Sequence, residues 1–364
     1  MSACDACMRR SALLGWLAAH IETELGGRRR LPAILSLDDR ALIESLGGKR
    51  RSRIEGLYSG FDVGLAREKA KRSALHTLCR HENGFPAPLL EPPDGPSMLY
   101  VKGDRGHLRR TQSDPVVGVV GSRRASPYGL EVARALGREL SACGVVVVSG
   151  MAFGIDSAAH EGALEGDGLT IAVLGSGADQ PYPRSKRSLY KRIASSGLIV
   201  SELPPGQTPF RWCFPARNRI IAALACMTVV VEGTDDSGSL ITARFAADLG
   251  KEVGAVPGQI TSSVASGPNG LLADGACLVR CAADVLDAIY GPGSAEARDA
   301  VAQAMPELSD ELRALLKSVE GGSDSPDAIA SSPADVPEVM AGLTELELMG
   351  LVRRALDGRY IRCA

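Results

Sequence analysis

Aromatic residues are scarce in this sequence, at 4% of 364 positions. A core must therefore be built from Ala, Val, Leu and Ile, and the 45% hydrophobic content suffices for one. Charge of one sign is lacking too. The formal net charge is −2, so the chain as a whole is no electrostatic magnet for a polyanion. No apolar run approaches the ~20 residues needed to span a bilayer. The N-terminus, MSACDACMRR, has no basic segment leading into an apolar one, so neither a membrane association nor a signal peptide is expected. There is no G-x-S-x-G elbow, no H-E-x-x-H helix and no G-x-x-x-x-G-K-[ST] loop, which argues against the hydrolases and nucleotide-binding enzymes those motifs mark. Disulfide staples are not expected either. The nine cysteines are scattered, odd in number and carried by a chain large enough to do without them, which fits a reducing cytoplasm. Cys4 and Cys7 form a lone C-x-x-C. A structural zinc needs four ligands, and no second pair occurs at finger spacing. The pair reads as two free thiols on a frayed tail, and neither metal nor cofactor is expected.

What is present is organised in blocks. At ~100–200 residues per domain, the length predicts two or three domains. Residues 1–115 carry 19 Lys+Arg against 14 Asp+Glu, residues 116–290 carry 15 against 16, and residues 291–364 carry 7 against 13. Any anion site in the middle must come from local placement of charge. Residues 1–83 read as a small helical domain of SAM-like or helix-hairpin-helix-like type, with apolar residues at helical spacing in SALLGWLAAHIETEL and LPAILSLDDRALIESL and a tight turn at LGGKRRSRI. Five prolines in residues 84–97 mark a connector that opens the next domain. Residues 84–290 alternate apolar runs (116–120, 145–149, 170–174, 198–202, 228–232, 252–257) with helical stretches such as 128–142 and 239–250. Alternation of this kind predicts βαβ units, hence a doubly wound, mostly parallel α/β sheet covered on both faces, a Rossmann-like domain. Residues 291–305 are a linker of small and acidic residues. Residues 306–364 read as helix, helix, helix and hairpin, near 308–319, 324–331 and 335–349 and then around Asp357-Gly358, the order of a winged helix.

Ligands of open parallel sheets bind beyond the carboxyl ends of the strands. The loop after 116–120 is Gly121-Ser122-Arg123-Arg124, with Ser126 and Pro127 suited to the N-cap and first position of the next helix. The next loop runs from Gly150 to Gly154 and Asp156, and others begin at Gly175 and Gly233, the last reaching Ser237 and Gly238. Glycine lets an anion approach backbone amides, and a helix N-terminus adds unpaired N–H donors and partial positive charge. Each loop alone is an ordinary steric turn; four together, with two arginines in the first, point to phosphate. Basic residues join them at Lys186 and at Arg217-Asn218-Arg219, which is read as a helix start. Arg217 and Arg219 lie two apart and cannot face the same way. His160 is a packing residue, and Glu232 is the one carboxylate placed for sugar chemistry. Absence of G-x-G-x-x-G argues against an ordinary dinucleotide site.

The blocks GVVGSRRASPYG, VSGMAFGIDSAAHEGAL, TIAVLGSGADQPYP, LIVSELPPG, FPARNRIIAAL, VVVEGTDDSGSLITARFA and AVPGQITSSVASGPNGLLADGA resemble, in order, the core of the DprA/Smf family of DNA-processing proteins, over about residues 85–282. Gly233 stands where that family usually has Ala, and Ala223 where it usually has Gly. The resemblance implies a non-catalytic, cytoplasmic protein that binds and protects single-stranded DNA and helps load the RecA recombinase in natural transformation and recombination. It also implies a homodimer formed through the Rossmann-like domain. The implied DNA-binding set comprises Gly121, Ser122, Arg123, Arg124, Gly150, Gly154, Lys186, Arg217, Asn218, Arg219, Ser237 and Gly238, with Lys251 as a further member. The alternative is a nucleoside-monophosphate phosphoribohydrolase or nucleotide sensor of the related Rossmann-like group. For the hydrolase, Glu232 and the 233–238 loop are only a partial echo, since its P-G-G-x-G-T loop is absent.

Overall fold

The computed structural model describes residues 3–25, 31–292 and, apart from 322, 324, 331, 333, 350 and 355–357, residues 308–362. Met1–Ser294 form one compact unit and Ala295–Ala364 a second. The expected linker 291–305 lies outside the described residues except for 291 and 292.

Five helices open the chain: α1 (Asp5–Leu25), α2 (Leu31–Leu35), α3 (Asp39–Leu46), α4 (Arg51–Ser59) and α5 (Val63–Arg72). The starts of α3 and α5 are set by carboxylates. Asp38 accepts the Ala41 amide and Asp62 the Leu65 amide, each satisfying a donor the helix leaves orphaned. The buried stripe Leu13, Leu14, Leu17, Ala18 and Ile21 of α1 packs on Ile34 and Leu42 within the helical part and on Leu203, Trp212 and Ala216 beyond it. Two polar ties join the same surfaces: Trp212 Nε1 donates to Ala18 O at 2.9 Å and Ser11 Oγ to Glu202 O at 2.8 Å. The helical part is thus one body with the α/β part of the chain.

That α/β part is built on a nine-stranded sheet. Its strands are β1 (His76–Cys79), β2 (Met98–Gly103), β3 (Val116–Val120), β4 (Val146–Ser149), β5 (Thr170–Val173), β6 (Leu198–Ser201), β7 (Met227–Val230), β8 (Glu252–Ala255) and β9 (Cys277–Leu278). The order is β1-β2-β6-β5-β4-β3-β7-β8-β9. The stretch from β6 to β9 is parallel, with Val117 opposite Val147 on one side and Val119 opposite Val229 on the other. β2 pairs antiparallel with β6, and β1 antiparallel with β2. Strands β3, β4, β5, β6 and β7 are buried throughout, as a sheet covered on both faces requires. Each buried Val or Ile contributes up to about 1.5–3 kcal/mol of hydrophobic stabilisation.

Helices α6 (Gly106–Ser113), α7 (Pro127–Ala142), α8 (Ile155–Glu165), α9 (Arg187–Ser196), α10 (Cys213–Leu224), α11 (Gly238–Asp248), α12 (Ser266–Ala273) and α13 (Ala282–Tyr290) connect the strands. The chain runs outward from β3 through β4 and β5 to β6, then crosses back to β7 on the other side of β3. The topological switch lies between β3 and β7, where a doubly wound sheet leaves its crevice. Six strands fall within a residue or two of the expected runs. Strands β1, β2 and β9 were not expected from the sequence, and β1 lies within residues 1–83, which the apolar spacing assigns to helix.

The second unit holds α14 (Asp310–Glu320), α15 (Pro326–Ile329), α16 (Val336–Leu348) and a hairpin of β10 (Val352–Arg354) and β11 (Tyr360–Arg362). Its core is Leu312, Leu316, Leu343, Leu346, Val352 and Tyr360. This is the expected winged-helix order. Of the expected turn pair, Gly358 sits at φ 86°, and Asp357 lies outside the described residues.

Candidate functional site

A cleft of about 860 Å³ occupies the switch point. One lip is the loop Gly121-Ser122-Arg123-Arg124 after β3; the other is Thr234 and Ser237-Gly238 at the start of α11; its floor includes Arg217 and Asn218. Arg123, Arg124 and Arg211 are exposed along it. Asp156 is the one carboxylate among the described lining residues, and Arg217 sits 3.5 Å from it. Asp235 and Asp236 are exposed on the second lip but outside the lining. The site is therefore cationic by placement within a nearly neutral domain.

Arg217 has a structural half to its role. Its Nη1 donates to Val173 O at 2.7 Å and its Nε to Asn218 Oδ1 at 2.8 Å. Asn218 in turn donates to Gly238 O at 3.1 Å, tying the floor to the second lip. Burial pushes the Asp156 carboxyl upward, opposed by Arg217 and by the amides of Ala152 and Gly150; burial likewise lowers Arg217, opposed by Asp156. The pair is a nearly neutral buried unit, and the uncompensated charge belongs to the exposed arginines.

The glycines of the second loop act by close approach. A Cβ on Gly150 would stand 1.3 Å from Arg217 Nη1, and the Gly150 amide is already spent on Asp156 at 3.2 Å. Gly154 sits at φ 74°, and a Cβ there would meet Ser122 O at 2.1 Å. Both positions serve loop packing and Arg217 rather than direct anion contact. Between them Met151 is held at φ 55°, in the left-handed region that costs a non-glycine residue about 1 kcal/mol or more.

Helix α7 starts as expected, with Pro127 first and Ser126 Oγ accepting the Gly129 amide at 3.1 Å. Its N-terminus is closed by an internal anion. Glu232, buried at the end of β7, accepts from Ser126 N at 2.8 Å and from Ser126 Oγ at 2.5 Å. A carboxylate thus occupies the place where a dinucleotide-binding sheet holds pyrophosphate. The N-terminus of α11, capped by Ser237, opens on the cleft instead.

Three expected members stand elsewhere. Arg219 is buried, 2.6 Å from Glu202 and 3.6 Å from Asp94, so it is an internal ion pair and no part of the cleft. Lys251 precedes β8, at the amino edge of the sheet, and donates to Ala223 O; it is on the wrong edge for a switch-point ligand. Lys186 lies 3.3 Å from Glu161 and lines neither the cleft nor the notch beside it. The 217–219 block is also no helix start. Helix α10 begins at Cys213, so these amides are already inside the helix and only side chains act. His160 is buried with Nδ1 2.6 Å from Thr170 Oγ1, the packing role expected of it, and burial pushes its pKa down to about 3.

Sequence pattern alone missed an aromatic platform. Phe153 and Tyr182, both exposed, line a small notch with Phe214 beside the cleft. The Tyr182 and Phe214 rings lie 5.4 Å apart, and the Arg123 guanidinium sits 5.0 Å over the Phe214 ring. Three of a scarce residue class, arriving from two loops and the first turn of α10 beside an arginine, was the available signal.

Fold and site together define a class: a Rossmann-like protein whose switch-point crevice presents arginines and stackable rings, with the helix end that usually holds a cofactor's phosphates already taken by Glu232. The chain belongs to the DNA recombination-mediator protein A family, whose profile matches residues 76–290, from the first residue of β1 to the last of α13. It is 31% identical over 381 residues to Protein Smf of Synechocystis sp., covering 96% of this chain and 94% of that protein. To DNA processing protein DprA of Bacillus subtilis it is 36% identical over 237 residues, covering 65% of this chain and 78% of that one. Among solved structures, DNA processing protein A of Streptococcus pneumoniae superposes with a TM-score of 0.63 at 32% identity, over 79% of this chain and 98% of the other. DNA processing protein A of Helicobacter pylori, described for its single-stranded DNA binding mode, gives 0.52 at 31% identity, over 59% and 95%. Among the described residues no helix is long and apolar enough to cross a membrane.

Proposed function

We propose that this chain binds single-stranded DNA along the switch-point cleft and acts, without catalysis of its own, as a DNA-processing protein in transformation and recombination. The observation that carries the reading is the juxtaposition of exposed arginines with an aromatic platform: Arg123, Arg124 and Arg211 beside Phe153, Tyr182 and Phe214. Phosphates need fixed cations, and unpaired bases need π-faces; proteins that hold single strands combine the two. Of the residues expected from the sequence, Gly121, Ser122, Arg123, Arg124, Arg217, Asn218, Ser237 and Gly238 make the DNA surface in this proposal. Gly150 and Gly154 support it from behind. Loading of RecA, a homodimer and a cytoplasmic setting belong to the same proposal and rest on kinship with the family.

The hydrolase alternative needs a free carboxylate, and both oxygens of Glu232 are engaged by Ser126. The test is a salt-dependent binding series with single-stranded, duplex and mononucleotide ligands, together with an assay for free base. Single strands are expected to bind most tightly, with no base released. Preferred binding of mononucleotides, or base release abolished by Glu232→Gln, overturns the reading.

A further inference from the structure

At the far border of the sheet from the cleft, the lone C-x-x-C is not a frayed tail. Helix α1 begins at Asp5, so Cys4 immediately precedes it and Cys7 lies in its first turn, buried against edge strand β1. Cys79 ends β1, and His81 comes two residues later. These four side chains bring one ligand atom each to within 4.8 Å of one another. Cys4 Sγ and Cys7 Sγ lie 3.4 and 3.5 Å from the same nitrogen, His81 Nδ1. A single ring nitrogen has one lone pair or one proton and serves one thiol well, whereas a cation at the centre accounts for both contacts. The distances fit. Zn–S near 2.3 Å and Zn–N near 2.0–2.1 Å place sulfur and nitrogen about 3.6 Å apart around a tetrahedron.

The backbone joins the cluster. The Cys4 amide lies 3.4 Å from Cys79 Sγ. N–H groups aimed at sulfur orient and stabilise ligating thiolates.

We propose that Cys4, Cys7, Cys79 and His81, through Nδ1, form a closed tetrahedral site for a structural zinc ion. Three soft thiolates with one imidazole select zinc over the hard cations, and four protein ligands leave no position open for catalysis. The topology gives the ion its task. Two ligands precede or open α1 and two come after α5, so the whole helical part, α1 to α5, lies inside the loop that the ion closes. A clip on so long a loop removes much chain entropy from the unfolded state.

The experiment uses the full chain carrying a tag free of histidine, expressed in zinc-supplemented medium. Metal analysis is expected to find about one zinc per chain, as a single mononuclear site requires. Cobalt exchanged into the site is expected to show the thiolate charge-transfer and d–d bands of tetrahedral coordination. Titrating the folded wild type with a mercurial is expected to release the zinc only as the three ligand thiols react, after the exposed Cys226 and Cys281. Cys79→Ser is expected to lose zinc, while His81→Cys keeps it and shifts the cobalt bands. The mercurial titration needs no variant, so the proposal remains testable if Cys79→Ser does not fold. Folded wild-type protein without zinc, a Cys4–Cys7 disulfide in the reduced preparation, another metal in stoichiometric amount, or zinc retained by folded Cys79→Ser each overturns it.

Discussion

Replacing Arg123 with alanine separates two contributions that the site combines. Three exposed arginines line the cleft. If each neutralises one phosphate, the affinity for single-stranded DNA falls with salt at a slope near −0.7 per contact, about −2.1 in all. Raising salt fourfold, from about 50 to 200 mM, then weakens binding about 18-fold, and each contact accounts for a factor of about 2.6. Arg123→Ala is expected to flatten the slope by ~0.7 for every base sequence. It also uncovers the Phe214 ring beneath the guanidinium, an internal contact worth about 0.5–1 kcal/mol at an exposed site, which chemical denaturation registers and the salt slope does not. Phe214→Ala is the counterpart. Loss of one stacking surface costs about 1–3 kcal/mol with the slope unchanged. Arg123→Lys keeps the charge and therefore the slope. Fluorescence anisotropy with labelled oligonucleotides at four salt concentrations reads both quantities. An Arg123→Ala slope equal to wild type would refute the assignment of this side chain to phosphate, and a Phe214→Ala slope that changed instead would reverse the two roles.

Arg219→Ala strips the buried carboxylates Glu202 and Asp94 of their partner, and chemical denaturation should register a loss of about 3–5 kcal/mol, whereas Arg217→Ala weakens DNA binding as well; equal effects of the two on affinity would contradict their separation. His160, with a folded pKa of about 3 against an ordinary 6.5, stays neutral while the unfolded chain takes up its proton. Stability it supports above pH 6.5 is therefore lost as pH falls toward 3, by about 1 kcal/mol between pH 7 and 5.5; denaturant midpoints at the two pH values should drop more for wild type than for His160→Gln, and parallel drops would exclude this residue. Truncation after Tyr290 removes an acidic segment with 7 Lys+Arg against 13 Asp+Glu, whose helix α16 carries Glu338, Glu345 and Glu347 and no basic residue. A duplex or strand repels such a surface, so single-strand affinity should survive the cut, and its loss from a folded fragment would place the DNA reader in the second unit.

What was legible in the sequence is what local pattern controls. The apolar runs that became β3 to β8, Ser126 and Pro127 opening α7, and the loops at the switch point all derive from spacing and neighbouring residues. Strand β9 is only two residues long and partly exposed, and β1, HTLC, opens on two polar residues and so shows no apolar run although it is mostly buried. The fate of a charge was not legible, because it depends on what lies opposite in space. Arg219 was indistinguishable from Arg217 until Glu202 and Asp94 were seen beside it, and Lys251 carries no mark of which sheet edge it occupies. Non-local convergence hid the rest. Phe153 and Tyr182 come from two loops and Phe214 from the first turn of α10, and Cys79 is 72 positions from Cys7, so no spacing rule would join them.

The tie made by Glu232 has a consequence for the shape of the DNA that can be held. Reaching from just beyond β7 to Ser126, it fastens the two lips together at the base of the crevice. Its arginines stand on an open rim, so a strand is laid in from the side and no free end has to be threaded. If the cleft is the DNA site proposed above, circular single strands are expected to bind as well as linear ones of the same length, and an interior gap flanked by duplex is expected to bind wherever enough unpaired bases are present to reach the rings.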